Sequence, residues 1–185
     1  LIDWKHRHVT EEPGAARGHG YDAILPDYIA AERPALYPGI RDALEEHRAR
    51  YPFRIHKYFN HMASSQAANI NLFLPILRHP RCAAVLRAVK PDFARLAAEH
   101  LDHGYRIEFW DEPHGSLRDK TDVSGTDADI GIAYEDDQGA LCLWLIEHKL
   151  SEGEFTTCGG YRSAGRRARH DCGRSFAELV NEPSA

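Results

Sequence analysis

The sequence predicts an α/β (α+β) chain in which helices come first, three consecutive strands follow and a further helix closes, giving a mixed sheet flanked by helices. Three observations carry this. Before Gly104 the apolar residues recur at helical spacing, and directly after it the period drops to two. Beyond Ser151 the chain turns Gly- and Arg-rich, with a short apolar helix, SFAELV, at 175–180.

Taken in order, residues 1–35 hold several Pro and Gly without sustained periodicity and read as an irregular arm. GIRDALEEHRAR (39–50) puts Ile40, Leu44 and the stem of Arg48 on one face of a surface helix, which Pro52 closes. SSQAANINLFLPIL (64–77) opens on serines able to N-cap and then runs apolar, as a buried helix does. Pro75 should kink or end it. RCAAVLRAVK (81–90) and DFARLAAEHLDH (92–103) read as two shorter helices, the second stopped by Gly104. YRIEFW (105–110) alternates and is aromatic and β-branched, so it is a strand. DADIGIAY (127–134) is a second strand. ALCLWLIEHKL (140–150) is a third, joined to it by EDDQG, with Gly139 suited to a left-handed turn position. The third strand is apolar on both faces, the pattern of a central strand.

The 185 residues suffice for one domain with a real core. A net charge of −5 argues against coating nucleic acid by bulk electrostatics, but Arg162, Arg166, Arg167, Arg169 and Arg174 form a local basic run. Four dispersed cysteines predict no disulfide framework and a reducing cytoplasm. No apolar run suits a membrane span or a signal peptide, and an opening on Leu1 implies a start further upstream.

The chemistry concentrates in the hairpin. Pairing its strands about Gln138 puts Asp129 opposite Glu147 and Asp127 opposite Lys149. Alternation then gathers all four on one face, about 4.5–8 Å apart. Carboxylates so close repel unless a cation lies between them. A divalent ion with oxygen ligands answers that, and a lysine beside it can position or activate water. The plain alternative is a cross-strand salt bridge of Asp129 with Lys149.

The pattern Asp129-x17-Glu147-x-Lys149, with the aspartate opening one strand and Glu-x-Lys closing the next, resembles the PD-(D/E)XK nuclease superfamily. SSQAANINLFLPIL, GTDAD (125–129) and IEHKLSEGEF (146–155) resemble one bacterial, restriction-endonuclease-like branch of it, over roughly residues 60–160. The resemblance implies an αβββαβ core at 61–185 behind an N-terminal arm and helix at 1–60. It implies Asp129 and Glu147 as Mg²⁺ ligands (Mn²⁺ substituting), Lys149 as the catalytic lysine and a backbone carbonyl from His148 on the metal. Asp127 would support from behind. A DNA endonuclease is the function implied, with DNA as partner and a homodimer compatible with it. Pro91-Asp92 is a decoy for the motif's literal letters, and the fold's usual last strand is not evident before Ala185.

Gln66 is the helix residue placed to touch DNA or metal, or simply to cap and pack. The arginines at 162, 166, 167 and 169 are expected on phosphate rather than on a merely solvated face. Cys158, His170 and Cys172 could take zinc or part of an iron–sulfur cluster, although buried thiols are commoner. His56 and His61, near Lys57, read as solvated rather than as a DNA cleft. Trp4, Trp110 and Trp144 read as core or packing aromatics rather than base-stacking platforms. Two other functions stay open: a non-catalytic nucleic-acid-binding or regulatory module on the same fold, and a zinc-stabilised interaction domain using Cys158 and Cys172.

Overall fold

The computed structural model describes residues 1–30, 34–110 and 127–149, with the side chain of Asp127 outside the description. The elements in order are α1 (Ile2–His8), β1 (Gly14–Ala16), β2 (His19–Tyr21), α2 (Asp27–Ala30), a 3₁₀ turn (Pro38–Ile40), α3 (Arg41–Arg50), α4 (Ser65–Arg78), α5 (Cys82–Leu86), β3 (Phe93–Leu96), β4 (Tyr105–Trp110), β5 (Asp127–Asp136) and β6 (Leu141–Ile146). This is an α+β fold with two antiparallel sheets flanked by helices. The helix and any strand expected beyond Lys149 lie outside the described residues.

The first 30 residues are more ordered than an irregular arm. Arg17 and Gly18 both take positive φ, the turn that closes a two-residue hairpin, and β1 and β2 pair across it. The strands are three residues each, too short to show a period.

Helix α4 starts where its serines predict: the Ser64 hydroxyl accepts the Ala67 N–H at 3.2 Å. It runs past Pro75 to Arg78, so the proline does not end it. Ile70, Leu74 and Leu77 form its buried stripe against the sheet, each worth about 1.5–3 kcal/mol of burial.

Strand β5 is the centre of the larger sheet. On one edge β4 pairs with its first half and β3 with its last residues; on the other edge lies β6. All these pairings are antiparallel. The β5–β6 ladder runs from Ile130 opposite Ile146 to Glu135 opposite Leu141, the register a turn about Gln138 requires. Asp136 builds that turn. Its Oδ1 accepts the N–H groups of Gln138 and Ala140, and Gly139 sits at φ 78°.

Three expectations are corrected. Residues 93–96 are a strand, not a helix: Phe93, fully buried, stacks on Tyr134 at 4.9 Å, and Arg95 pairs with Glu135 across the ladder. Among the described residues β6 is covered on one face: Cys142, Trp144 and Ile146 pack on the core while Leu141 and Leu143 are exposed. Of the three tryptophans, only Trp144 packs against the core, and Trp4 and Trp110 are 45% and 39% exposed.

His47 on α3 is 4% exposed and stacks on Tyr105 at 5.1 Å. Burial pushes its pKa below the ordinary value; Asp102 opposes this and Arg78 adds to it. As pH falls from about 6.5 the unfolded chain takes up this proton before the folded one, so His47 costs stability on the acid side. Replacing His47 by Gln is expected to flatten the fall in melting temperature between about pH 7 and pH 5. An equally steep fall in the variant would show that His47 does not control it.

Candidate active site

The start of β5 and the chain leaving β6 meet just past the last pair of the ladder, Ile130 with Ile146. Ile130 and Ile132 are fully buried on the core face of β5, so alternation turns Asp129 and Gly131 to the other face. Gly131 has a packing reason. A Cβ there would stand 2.6 Å from Cδ2 of Phe109, so glycine leaves the room that ring occupies.

Asp129 is held at its side chain and at its backbone. Its Oδ2 accepts the His148 N–H at 2.5 Å. Its backbone carbonyl accepts Nδ2 of Asn69 at 3.1 Å. Burial holds its carboxyl above the ordinary carboxylate range, and the Glu147 charge adds to this; the His148 N–H, Lys149 and His148 itself pull it back. Glu147, directly after β6, takes the ammonium of Lys149 on Oε1. The two acids therefore feel each other while one lysine offsets the second.

This arrangement suits a small hard cation. Among the described residues no group of three or more His, Cys, Asp or Glu is poised around a metal. The oxygen donors at hand are the carboxylates of Asp129 and Glu147. Such a pair suits Mg²⁺, which takes one or two carboxylates and completes its shell with water and phosphate. A buried carboxyl whose charged form is disfavoured beside a second acid is also where an added positive charge stabilises most.

The remaining predicted residues fall in different places. Asp127 opens β5, paired with Trp110 of β4. His148 contributes its N–H to Asp129, and its Nδ1 is buried without a partner. Gln66 lies in the first turn of α4. It is 5% exposed, its Oε1 accepts the His56 N–H and its Nε2 donates to the Arg54 carbonyl, both at 2.9 Å. Arg162, Arg166, Arg167, Arg169, Cys158, His170 and Cys172 lie outside the described residues.

Two residues escaped the sequence. Asn69, fully buried one turn after Gln66, ties α4 to Asp129, and its Oδ1 has no partner. The signal was an amide inside an apolar helical run, which sequence alone cannot separate from a surface position. Glu108 sits on β4 between Ile107, opposite Ile130, and Phe109, opposite Ala128, which places its backbone beside Asp129; its φ is 54°. An acid inside an aromatic strand was the visible hint. Asn69→Ala is expected to cost about 1–3 kcal/mol in urea unfolding, because it leaves a buried carbonyl short of a donor. A variant as stable as the parent would show the amide to be dispensable.

Among the described residues no helix is long and apolar enough to cross a membrane. No curated protein and no solved structure matches the chain. A family model described as Restriction Endonuclease associating with ARP matches residues 2–184, and the chain belongs to that restriction-endonuclease-like family.

Proposed function

We propose that this chain is a metal-dependent DNA endonuclease of the PD-(D/E)XK kind. The observation that carries the reading is the meeting of Asp129 and Glu147 at the open end of a hairpin, with Lys149 on Glu147 and burial disfavouring the Asp129 charge. The family's name, which specifies a restriction endonuclease, supports DNA as substrate and association with ARP as context.

Asp129 and Glu147 would hold Mg²⁺ or Mn²⁺, with the His148 carbonyl as a further donor and Asp127 as support. The ion, when bound, lowers the pKa of the attacking water and offsets charge on the scissile phosphate. The chain's own residues do the rest. The His148 N–H and Asn69 fix the Asp129 carboxylate from the side chain and the backbone, so its free lone pairs keep one direction. Lys149, three donors on a mobile stem, can leave Glu147 to orient the attacking water. The arginines at 162, 166, 167 and 169 would contact phosphate.

Supercoiled plasmid incubated with purified protein should be nicked with Mg²⁺ or Mn²⁺ and stay intact in EDTA. Intact plasmid in every condition, or cutting that EDTA does not stop, would refute the reading. Replacing Arg166 and Arg167 together should lower the slope of duplex affinity against salt by about 1.8, at about 0.9 per lost contact. An unchanged slope assigns the run to the solvated surface.

A further inference from the structure

A cleft of about 890 Å³ opens between the segment 50–57 and β4. Arg54, His56 and Lys57 line one wall, and Arg106, Glu108 and Trp110 the other. Arg106 is held by both oxygens of Asp102, at 3.0 and 3.1 Å, and Arg50 pairs with Glu46 at 3.8 Å, which leaves Arg54 and Lys57, both exposed, with the Lys57 ammonium 4.6 Å from the centre of the Tyr58 ring. Trp110, 39% exposed, adds an aromatic surface at the rim.

The cleft is tied to the acidic pair by one helix face. Gln66 clamps the backbone of Arg54 and His56 to α4, and Asn69, three residues on, binds the carbonyl of Asp129. On the far wall Trp110 pairs with Asp127, and Glu108 lies beside Asp129 in the register. Both walls therefore lead to the start of β5.

Cations with an aromatic side chain inside a concavity match an unstacked strand better than a duplex. A duplex keeps its base faces covered, so an aromatic wall offers it nothing that lysine and arginine do not; an unpaired base has a free face to stack. We infer that this cleft seats a single strand of DNA, a base against Trp110 and phosphates on Arg54 and Lys57, and leads it to Asp129. This rests on the nuclease reading for the destination of the strand, and the test lets either fail alone.

Full-length protein in EDTA is titrated into labelled oligothymidylate and into a duplex of equal length. Trp110→Ala should weaken single-strand binding by about tenfold and leave the duplex unchanged, while Trp110→Phe keeps most of the affinity. Arg54→Ala with Lys57→Ala, both on the exposed segment, should lower the single-strand salt slope by about 1.4. Val89→Ala, at an exposed position outside the cleft lining, should bind like the parent. Unchanged affinity in Trp110→Ala, or equal loss on both substrates, overturns the inference. Should Trp110→Ala fail to fold, an unchanged slope in the arginine–lysine variant overturns it instead. Selective binding by a protein that never nicks plasmid would sink the nuclease reading and leave the cleft standing.

Discussion

Glu147→Gln is expected to lower Mg²⁺-dependent nicking by about 10³-fold or more, a loss of several kcal/mol of charge stabilisation at about 1.4 kcal/mol per decade. The amide keeps the shape of the side chain and loses the charge that would share an ion with Asp129. Stability should respond differently. Glu147 raises the carboxyl of Asp129 by repulsion, and it also accepts Lys149. Removing the charge relieves the first and loses the second. That ion pair is partly solvated, with side chains 38% and 27% exposed, and such pairs contribute about 0–1 kcal/mol. The melting temperature in metal-free buffer should therefore stay level or rise slightly. A destabilised variant that still cuts would end the assignment of Glu147, and one that neither cuts nor folds would leave Asp129→Asn as the cleaner probe. Asp129→Asn is expected to stabilise the metal-free protein at neutral pH. The folded carboxyl releases its proton later than the unfolded one, so ionising it costs stability as pH rises through its raised pKa.

Phe93→Ala is expected to cost about 3–5 kcal/mol, the largest single loss of stability foreseen for this chain. Phe93 is fully buried, stacks within 9° of parallel on Tyr134 and opens the strand that extends one edge of β5. The neighbourhood is bound to it: the Tyr134 hydroxyl donates to Asp92 Oδ2 at 3.0 Å, and Lys90 donates to both Asp92 oxygens. Val89, four residues earlier and 71% exposed, supplies the control, with Val89→Ala expected within about 0.5 kcal/mol of the parent. Urea midpoints of the two variants decide it. A Phe93→Ala loss no larger than that of Val89→Ala would remove β3 from the packed core.

The sequence by itself determined the hairpin and its register. Alternation in β4, β5 and β6 is local, the turn at Asp136–Gly139 is built by its own residues, and a period of two leaves one register that keeps Ile130 and Ile132 inside. That register is enough to bring Asp129 to Glu147. Ser64 as the cap of α4 was legible for the same reason, since the bond it makes spans three residues. Only the tertiary structure decided the rest. FARL carries helix-forming residues, yet it extends beside Tyr134–Asp136 because burying Phe93 and pairing backbone across the ladder outweigh a local preference of a few tenths of a kcal/mol per residue. Gln66 and Asn69 look alike in the string of letters; folding sends one to the segment at 54–56 and the other to a carbonyl 60 residues away. The cleft brings residues 50–57 against residues 102–110, and no period in a sequence encodes such an encounter, which depends on how α4 packs on the sheet.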